Sequence, residues 1–209
     1  MKTLFAPGCA LRKYKPELIE RVNSFLSEAG LIDGMYLTCC KAEERLTEDV
    51  TLITCCPGCS HKFEAMYPNS QVISLWKVLL STSFPFPNYH GQKMSIHDSC
   101  HARNRNSSEM QVSSRLLCER MCITLVEPTC TRDEARCCGG SLGTDFVKRK
   151  EMAISRAKEF SEKDVVVYCT GCVRSFSVTD VAPRHLLDLL FEEPTRGLYP
   201  PGMPTNEEK

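Results

Sequence analysis

The sequence has no net charge, no long apolar run and no nucleotide-binding fingerprint. Its 26 basic residues balance 26 acidic residues, so no overall field would attract nucleic acid or an anionic membrane. No apolar stretch approaches the roughly 20 residues that a helix needs to cross a bilayer, and we expect no direct membrane insertion. The N-terminal apolar run is too quickly broken by Pro7 and Gly8 to form a secretory signal peptide. No Gly-x-Gly-x-x-Gly motif indicates a bound flavin or nicotinamide.

Cysteine is the residue in excess, with 14 in 209 residues. Such a count indicates a disulfide scaffold, a metal site or redox chemistry. Disulfide scaffolds are typical of short secreted chains, and adjacent cysteines such as Cys39-Cys40 bridge each other only with strain. We therefore expect reduced thiols in a cytoplasmic protein, available for metal binding or redox chemistry.

The cysteines fall into two similar sets, each with a single cysteine, an adjacent pair and a Cys-x-x-Cys pair. The first set is Cys9, Cys39, Cys40, Cys56 and Cys59, and the second is Cys100, Cys137, Cys138, Cys169 and Cys172. This repetition indicates an internal duplication. It places Cys55 opposite Tyr168, which selects Cys56 for the first set. Cysteines without a counterpart are interpreted as small buried apolar residues; they are Cys118, Cys122 and Cys130.

Alternating strand and helix patterns predict an α/β fold of two pseudo-repeated halves. Each half is expected to be a small, mostly parallel sheet with flanking helices and its cysteine motifs at the strand ends. The Pro-rich segment 81–91 is the best linker, which predicts a shortened first repeat at 1–90 and a second at 91–191. Residues 192–209 are expected to form a flexible tail, and residues 183–191 a final helix.

Thiolates are natural ligands of zinc and of iron–sulfur clusters. Four complete a zinc tetrahedron, whereas each set offers five, which a larger or distorted cluster could use. Arg136 lies beside the adjacent pair, where a cation would offset cluster charge. Glycines in the motifs let backbone N–H groups approach sulfur; they are Gly58, Gly139, Gly140 and Gly171. The histidines near the motifs are interpreted as supporting or structural; they are His61, His97, His101 and His185.

The segment His97-Asp98-Ser99-Cys100-His101, followed by Ala135-Arg136-Cys137-Cys138-Gly139-Gly140, resembles the second repeat of the cysteine-rich CCG-domain subunit of heterodisulfide reductase. It is also similar to the iron–sulfur subunits of lactate-utilisation and glycolate oxidases. The resemblance implies that each set binds one noncubane 4Fe–4S cluster through its five cysteines. It further implies that two such clusters split a disulfide homolytically in two one-electron steps. Lys41 departs from the family pattern, which has a glycine there.

The resemblance also implies partners and a catalytic set. The partner would be an electron-donating iron–sulfur or flavoprotein subunit, and the substrate a small disulfide or thiol. The catalytic residues would be the second-set ligands Cys100, Cys137, Cys138, Cys169 and Cys172. Two alternatives stay open: a non-catalytic electron-relay subunit of a larger complex, and a zinc-binding thiol redox protein.

Overall fold

The structure is a computed structural model that describes residues 1–39, 41–103, 107–142 and 145–196. Cys40, a predicted ligand, and residues 197–209 of the predicted tail lie outside the described residues. Within these ranges, no helix combines the length and apolar character needed to cross a bilayer.

The first half is a parallel sheet in the order β2-β1-β3-β4. Its strands are β1 Thr3–Ala6, β2 Gly34–Met35, β3 Thr51–Thr54 and β4 Gln71–Ser74. Its helices are α1 Cys9–Tyr14, α2 Pro16–Glu28, α3 Pro57–Met66 and α4 Leu75–Leu80. Helix α2 starts at a proline, which suits the first helical turn, and buries one apolar face against the sheet.

The second half repeats this topology in the order β6-β5-β7-β8, again parallel. Its strands are β5 Lys93–His97, β6 Thr124–Val126, β7 Asp164–Val167 and β8 Ala182–His185. Its helices are α5 Ser107–Arg120, α6 Phe146–Ala157, α7 Thr170–Phe176 and α8 Leu186–Leu190. The predicted α/β fold of two pseudo-repeated halves is therefore confirmed, while the exact repeat limits stay predictions.

Two local predictions are corrected. The sequence predicts a final helix over 183–191, but the chain forms strand β8 before helix α8 begins at Leu186. Pro183 is tolerated because β8 is the edge strand, where a missing N–H costs no ladder bond. The sequence from His61 to Met66 also predicts a helical turn, but the helix that contains it, α3, begins earlier, at Pro57. Both Cys-x-x-Cys pairs therefore open a helix.

The two halves share one core. Apolar side chains of both sheets and of α2, α4, α5 and α8 pack into a single buried cluster. At its edge, the buried Lys15 ammonium lies 3.1 Å from an Asp188 carboxylate oxygen. The Tyr14 hydroxyl donates to the other oxygen of Asp188 at 2.6 Å. A buried charge pair resists separation because each charge would be left without its partner, so this contact clamps α8 onto the first half.

Candidate functional site

Most described members of the two cysteine sets lie at or just after the ends of parallel strands, while the adjacent pair of the second set lies in the longer loop after β6. Cys9 opens α1 directly after β1, and Cys100 follows β5 in a short 3-10 turn. Cys56 and Cys169 are the N-cap residues of α3 and α7. Strand ends on the same edge of a sheet face a common space, so the motifs of each half converge.

The two sets also converge on each other. Nine described cysteines form one continuous group, called here the thiol array, which comprises Cys9, Cys39, Cys56, Cys59, Cys100, Cys137, Cys138, Cys169 and Cys172. Cys56 of the first set packs against the second-half hydrophobic cluster that contains Cys169, and each thiol shifts the pKa of the other. This contact joins the halves. No two cysteines in the described ranges are joined by a disulfide.

Sulfur atoms within the thiol array touch. The Sγ–Sγ distance is 3.8 Å between Cys9 and Cys39. It is 3.6 Å between Cys100 and Cys137 and 3.3 Å between Cys138 and Cys172. Contacts this short crowd several ionisable thiols together, so they cannot all ionise at once unless a cation is bound.

The pKa values of the array alternate. Hydrogen bonds from Cys100 and Cys138 lower the pKa of Cys137. Hydrogen bonds with Cys172 and Cys56 lower the pKa of Cys169, and the backbone N–H groups of Cys172 and Gly171 lower it further. Their donors shift the other way: the bond to Cys137 raises the pKa of Cys138 to about 12. Thiolates are thus favoured at selected positions and are stabilised by neighbouring thiols.

The predicted glycines lie against the sulfurs. The Gly139 N–H donates to Cys137 Sγ at 3.3 Å, and the Gly140 N–H lowers the pKa of Cys138. A Cβ at Gly140 would lie 3.0 Å from the Gly171 carbonyl oxygen, so the two motifs pack backbone to backbone. A Cβ at Gly58 would lie 3.9 Å from Cys56 Sγ. Backbone donors at sulfur are an established control of metal-site potential.

Gly8 is a site residue that the sequence reasoning did not select. Its backbone has φ 80° and ψ 154°, a region that is essentially restricted to glycine. A Cβ at this position would lie 2.5 Å from Cys59 Sγ. Gly8 therefore lets the chain between β1 and Cys9 pass directly over another thiol.

Asp98 ties together the three cysteine-bearing segments of the second half. This fully buried carboxylate accepts hydrogen bonds from both terminal nitrogens of Arg115, at 3.0 and 2.8 Å. It also accepts from the Tyr168 hydroxyl at 2.8 Å and the Arg132 N–H at 2.7 Å. Burial raises the pKa of Asp98, but Arg115 outweighs it and holds the pKa below its usual value. Asp98 precedes Cys100, Arg132 precedes Cys137 and Tyr168 precedes Cys169, so one carboxylate positions all three.

Cys55 has the equivalent structural place in the first half. Its thiol donates to the Pro7 carbonyl oxygen at 3.4 Å, and burial raises its pKa. The counterpart of Cys55 is Tyr168, whose hydroxyl likewise bonds to the loop after the first strand of its own half. The structure thus places Cys55 in a support of the β1–α1 loop and Cys56 in the thiol array.

His97 lies beneath the second set. One of its ring nitrogens lies within 4.8 Å of the sulfurs of Cys138 and Cys172, which are themselves within that distance of each other. Among the described residues, this is the only trio of ligand-type side chains so grouped. Burial and the nearby Arg156 lower the pKa of His97 to about 3, so the ring is neutral.

Both ends of the thiol array open to solvent. Cys9 lines a surface cavity of about 340 Å³ together with Arg12 and Lys13. Cys137 lines another of about 400 Å³ together with Arg103 and Arg136. The Arg136 guanidinium lies 3.4 Å from Glu159 and is largely exposed. The array therefore runs between two open mouths, and its buried members are Cys138, Cys169 and Cys172.

Three cysteines and two of the motif histidines are outside the array. Cys118 is in the core, as predicted, but Cys122 is exposed, which contradicts its interpretation as a buried residue, and Cys130 is half-buried. His61 and His101 stack on each other with ring centroids 6.3 Å apart.

Comparisons with known proteins leave the family open. No family model matches the chain, and no curated protein matches it. Among solved structures, an aspartate racemase from Picrophilus torridus is similar at 13% identity, with 91% of each chain covered and a TM-score of 0.32. A similarity of that size is too distant to carry a functional argument.

Proposed function

We propose that this protein is an iron–sulfur oxidoreductase subunit of the same type as the CCG-domain subunit of heterodisulfide reductase. In this proposal the ten set cysteines hold two 4Fe–4S clusters, of noncubane type, in a cytoplasmic protein. The protein reduces a disulfide or related sulfur substrate with electrons from a partner iron–sulfur protein or flavoprotein. The observation that carries the proposal is the thiol array, nine described cysteines in one continuous group.

The donor set of the array fits iron–sulfur chemistry. Thiolates are the ligands that such clusters use, and backbone N–H groups of the motif glycines already point at sulfur. Sulfurs in contact leave no room for a multi-iron core, so loading would have to move them apart. When bound, the clusters would supply one-electron transfer.

The two open mouths of the array suggest how the protein is used. Reduction of a disulfide takes two electrons and two protons and yields two thiols. In this proposal the substrate enters the cavity at Cys137, where Arg136 offers a positive charge and solvent supplies the protons. The cavity at Cys9 faces the electron-donating partner. Electrons would pass between the two cavities along the array, whose cysteines and glycines surround the path.

Iron analysis tests the proposal directly. We expect anaerobically purified protein to be brown, with about eight irons per chain, the content of two full clusters. Fewer than about four irons per chain, less than one cluster, would refute the two-cluster assignment.

The electron-relay alternative differs from the proposal in one observable. An open cluster site responds to sulfur ligands, whereas a closed relay site does not. We expect the EPR signal of the reduced protein to change on addition of a small disulfide or thiol. An unchanged signal would favour an electron relay.

A zinc protein is favoured only by the trio of His97, Cys138 and Cys172. A histidine that binds a metal normally donates its second ring N–H to a neighbour. In this structure Nδ1 of His97 accepts a hydrogen bond from Arg156 instead. Colourless protein with stoichiometric zinc after anaerobic purification would establish this alternative.

Adjacent cysteines give a matched test of the ligand assignment. We expect Cys56→Ser to lower the iron content by up to about half, one cluster of two. Cys55→Ser should keep the full iron content, because a serine hydroxyl can still donate to the Pro7 carbonyl oxygen. Iron analysis of both variants decides the assignment, and equal losses would contradict it.

A further inference from the structure

The His97 ring is held in one orientation. It lies at the end of β5, is fully buried, and meets two phenylalanine rings edge-on. The ring centroids lie 4.9 Å from Phe176 and 6.1 Å from Phe160, with interplanar angles of 88° and 81°. A ring packed this way cannot turn without displacing core side chains, so its two nitrogens have fixed directions.

Arg156 determines which nitrogen of His97 carries the proton. The Arg156 Nε–H donates to His97 Nδ1 at 3.3 Å. A guanidinium has only donors, so Nδ1 must present a lone pair. In the neutral imidazole the proton is then on Nε2. Arg156 is itself held by an ion pair with Glu159 and lies over the Phe160 ring.

His97 Nε2 is buried and has no hydrogen-bond partner among the described residues. A ring nitrogen of His97 lies within 4.8 Å of the sulfurs of Cys138 and Cys172. Arg156 already occupies Nδ1, so Nε2 is the nitrogen left for these sulfurs. A buried donor without a partner costs about 1–3 kcal/mol, whereas a cysteine thiolate that binds a cluster would be an acceptor for a charge-assisted hydrogen bond. We propose that His97 donates its Nε2–H to the Cys138–Cys172 sulfur pair and thereby raises the reduction potential of the cluster bound there.

The physical reason is the charge added on reduction. An electron entering the second-half cluster increases negative charge on its sulfur ligands, and a fixed N–H donor stabilises that charge. This inference rests on the proposed function and makes His97 a positioning and tuning residue rather than a ligand. The first half has no equivalent donor. Its residue at the matching position, three before Cys9, is Ala6, whose side chain cannot donate a hydrogen bond.

Two amide substitutions of different length separate the effect of the N–H donor from the effect of side-chain packing. In His97→Asn the side-chain oxygen can still accept from Arg156, but the amide is too short to reach the sulfurs. In His97→Gln the longer side chain can place an N–H donor near the position of Nε2. Each variant would be purified anaerobically and titrated potentiometrically while both cluster EPR signals are followed. The second-half signal is identified by its loss in Cys172→Ser.

We expect His97→Asn to lower the ratio of reduced to oxidised second-half cluster about tenfold at fixed potential, a shift of about 59 mV for one electron. His97→Gln should stay within about twofold of wild type, and the first-half signal should be unchanged in both. Equal midpoints in wild type and His97→Asn would overturn the inference. Loss of second-half iron in both variants would also overturn it, because His97 would then be a ligand or a structural residue. Wild-type protein without iron would instead refute the proposed function itself.

Discussion

Asp98→Ala should lower the free energy of unfolding by about 3–5 kcal/mol, because it leaves Arg115 without its buried partner. The substitution also removes the acceptor of the Tyr168 hydroxyl and of the Arg132 N–H. For a chain of this size the loss corresponds to a fall in melting temperature of roughly 6–20 °C. Scanning calorimetry of the anaerobic protein measures it.

Glu127→Gln is the matched control for Asp98→Ala. Glu127 contacts the same arginine, at 2.6 Å, but is partly exposed. Exposed ion pairs contribute about 0–1 kcal/mol, so this variant should melt within a few degrees of wild type. Similar falls in melting temperature in both variants would show that the hydrogen bonds of Asp98 to the three cysteine segments do not stabilise the fold.

Gly8→Ala should disable the first half of the thiol array. The new methyl group would lie 2.5 Å from Cys59 Sγ, in a backbone region that alanine does not adopt. Relief requires the loop carrying Cys9 to move away from Cys59. We therefore expect iron per chain to fall by about half, the content of one of two clusters, with the second-half EPR signal retained.

Gly30→Ala controls for the effect of positive φ alone. Gly30 has φ +66°, but no atom lies within 4 Å of the position that its Cβ would occupy. The substitution should lower the free energy of unfolding by about 1 kcal/mol and leave the iron content unchanged. An iron content that falls equally in both variants would mean that backbone strain, rather than contact with Cys59, is responsible.

Local sequence signals are sufficient for much of the fold. The three valines of β7 and the apolar residues of α2, which recur every three or four positions, follow directly from residue preferences. Strand β8 is not predicted from the sequence, because Pro183 argues against a strand. The similarity of His185-Leu186 to Ser74-Leu75, at the end of β4, argues for one but is a weaker signal. An edge position, which only the assembled sheet defines, makes that proline acceptable.

The candidate site is predictable within each half but not between halves. Strand ends bring Cys100, Cys137 and Cys169 together in any parallel sheet of this order. The contact of Cys56 with Cys169 depends instead on how the two sheets pack across the shared core. The proton position on His97 likewise depends on Arg156, which a separate helix supplies. Neither is encoded in spacing along the chain.

The contact between Cys56 and Cys169 determines when the thiol array can assemble during synthesis of the chain. The first-half thiols emerge early, but their partners in α7 are translated more than a hundred residues later. At typical elongation rates this leaves them without those partners on the order of ten seconds. Metal delivered to a nascent chain would find only half of the array. If the protein binds clusters as proposed, their insertion is therefore expected to follow release of the chain, and a truncated product would present thiols that no second half covers.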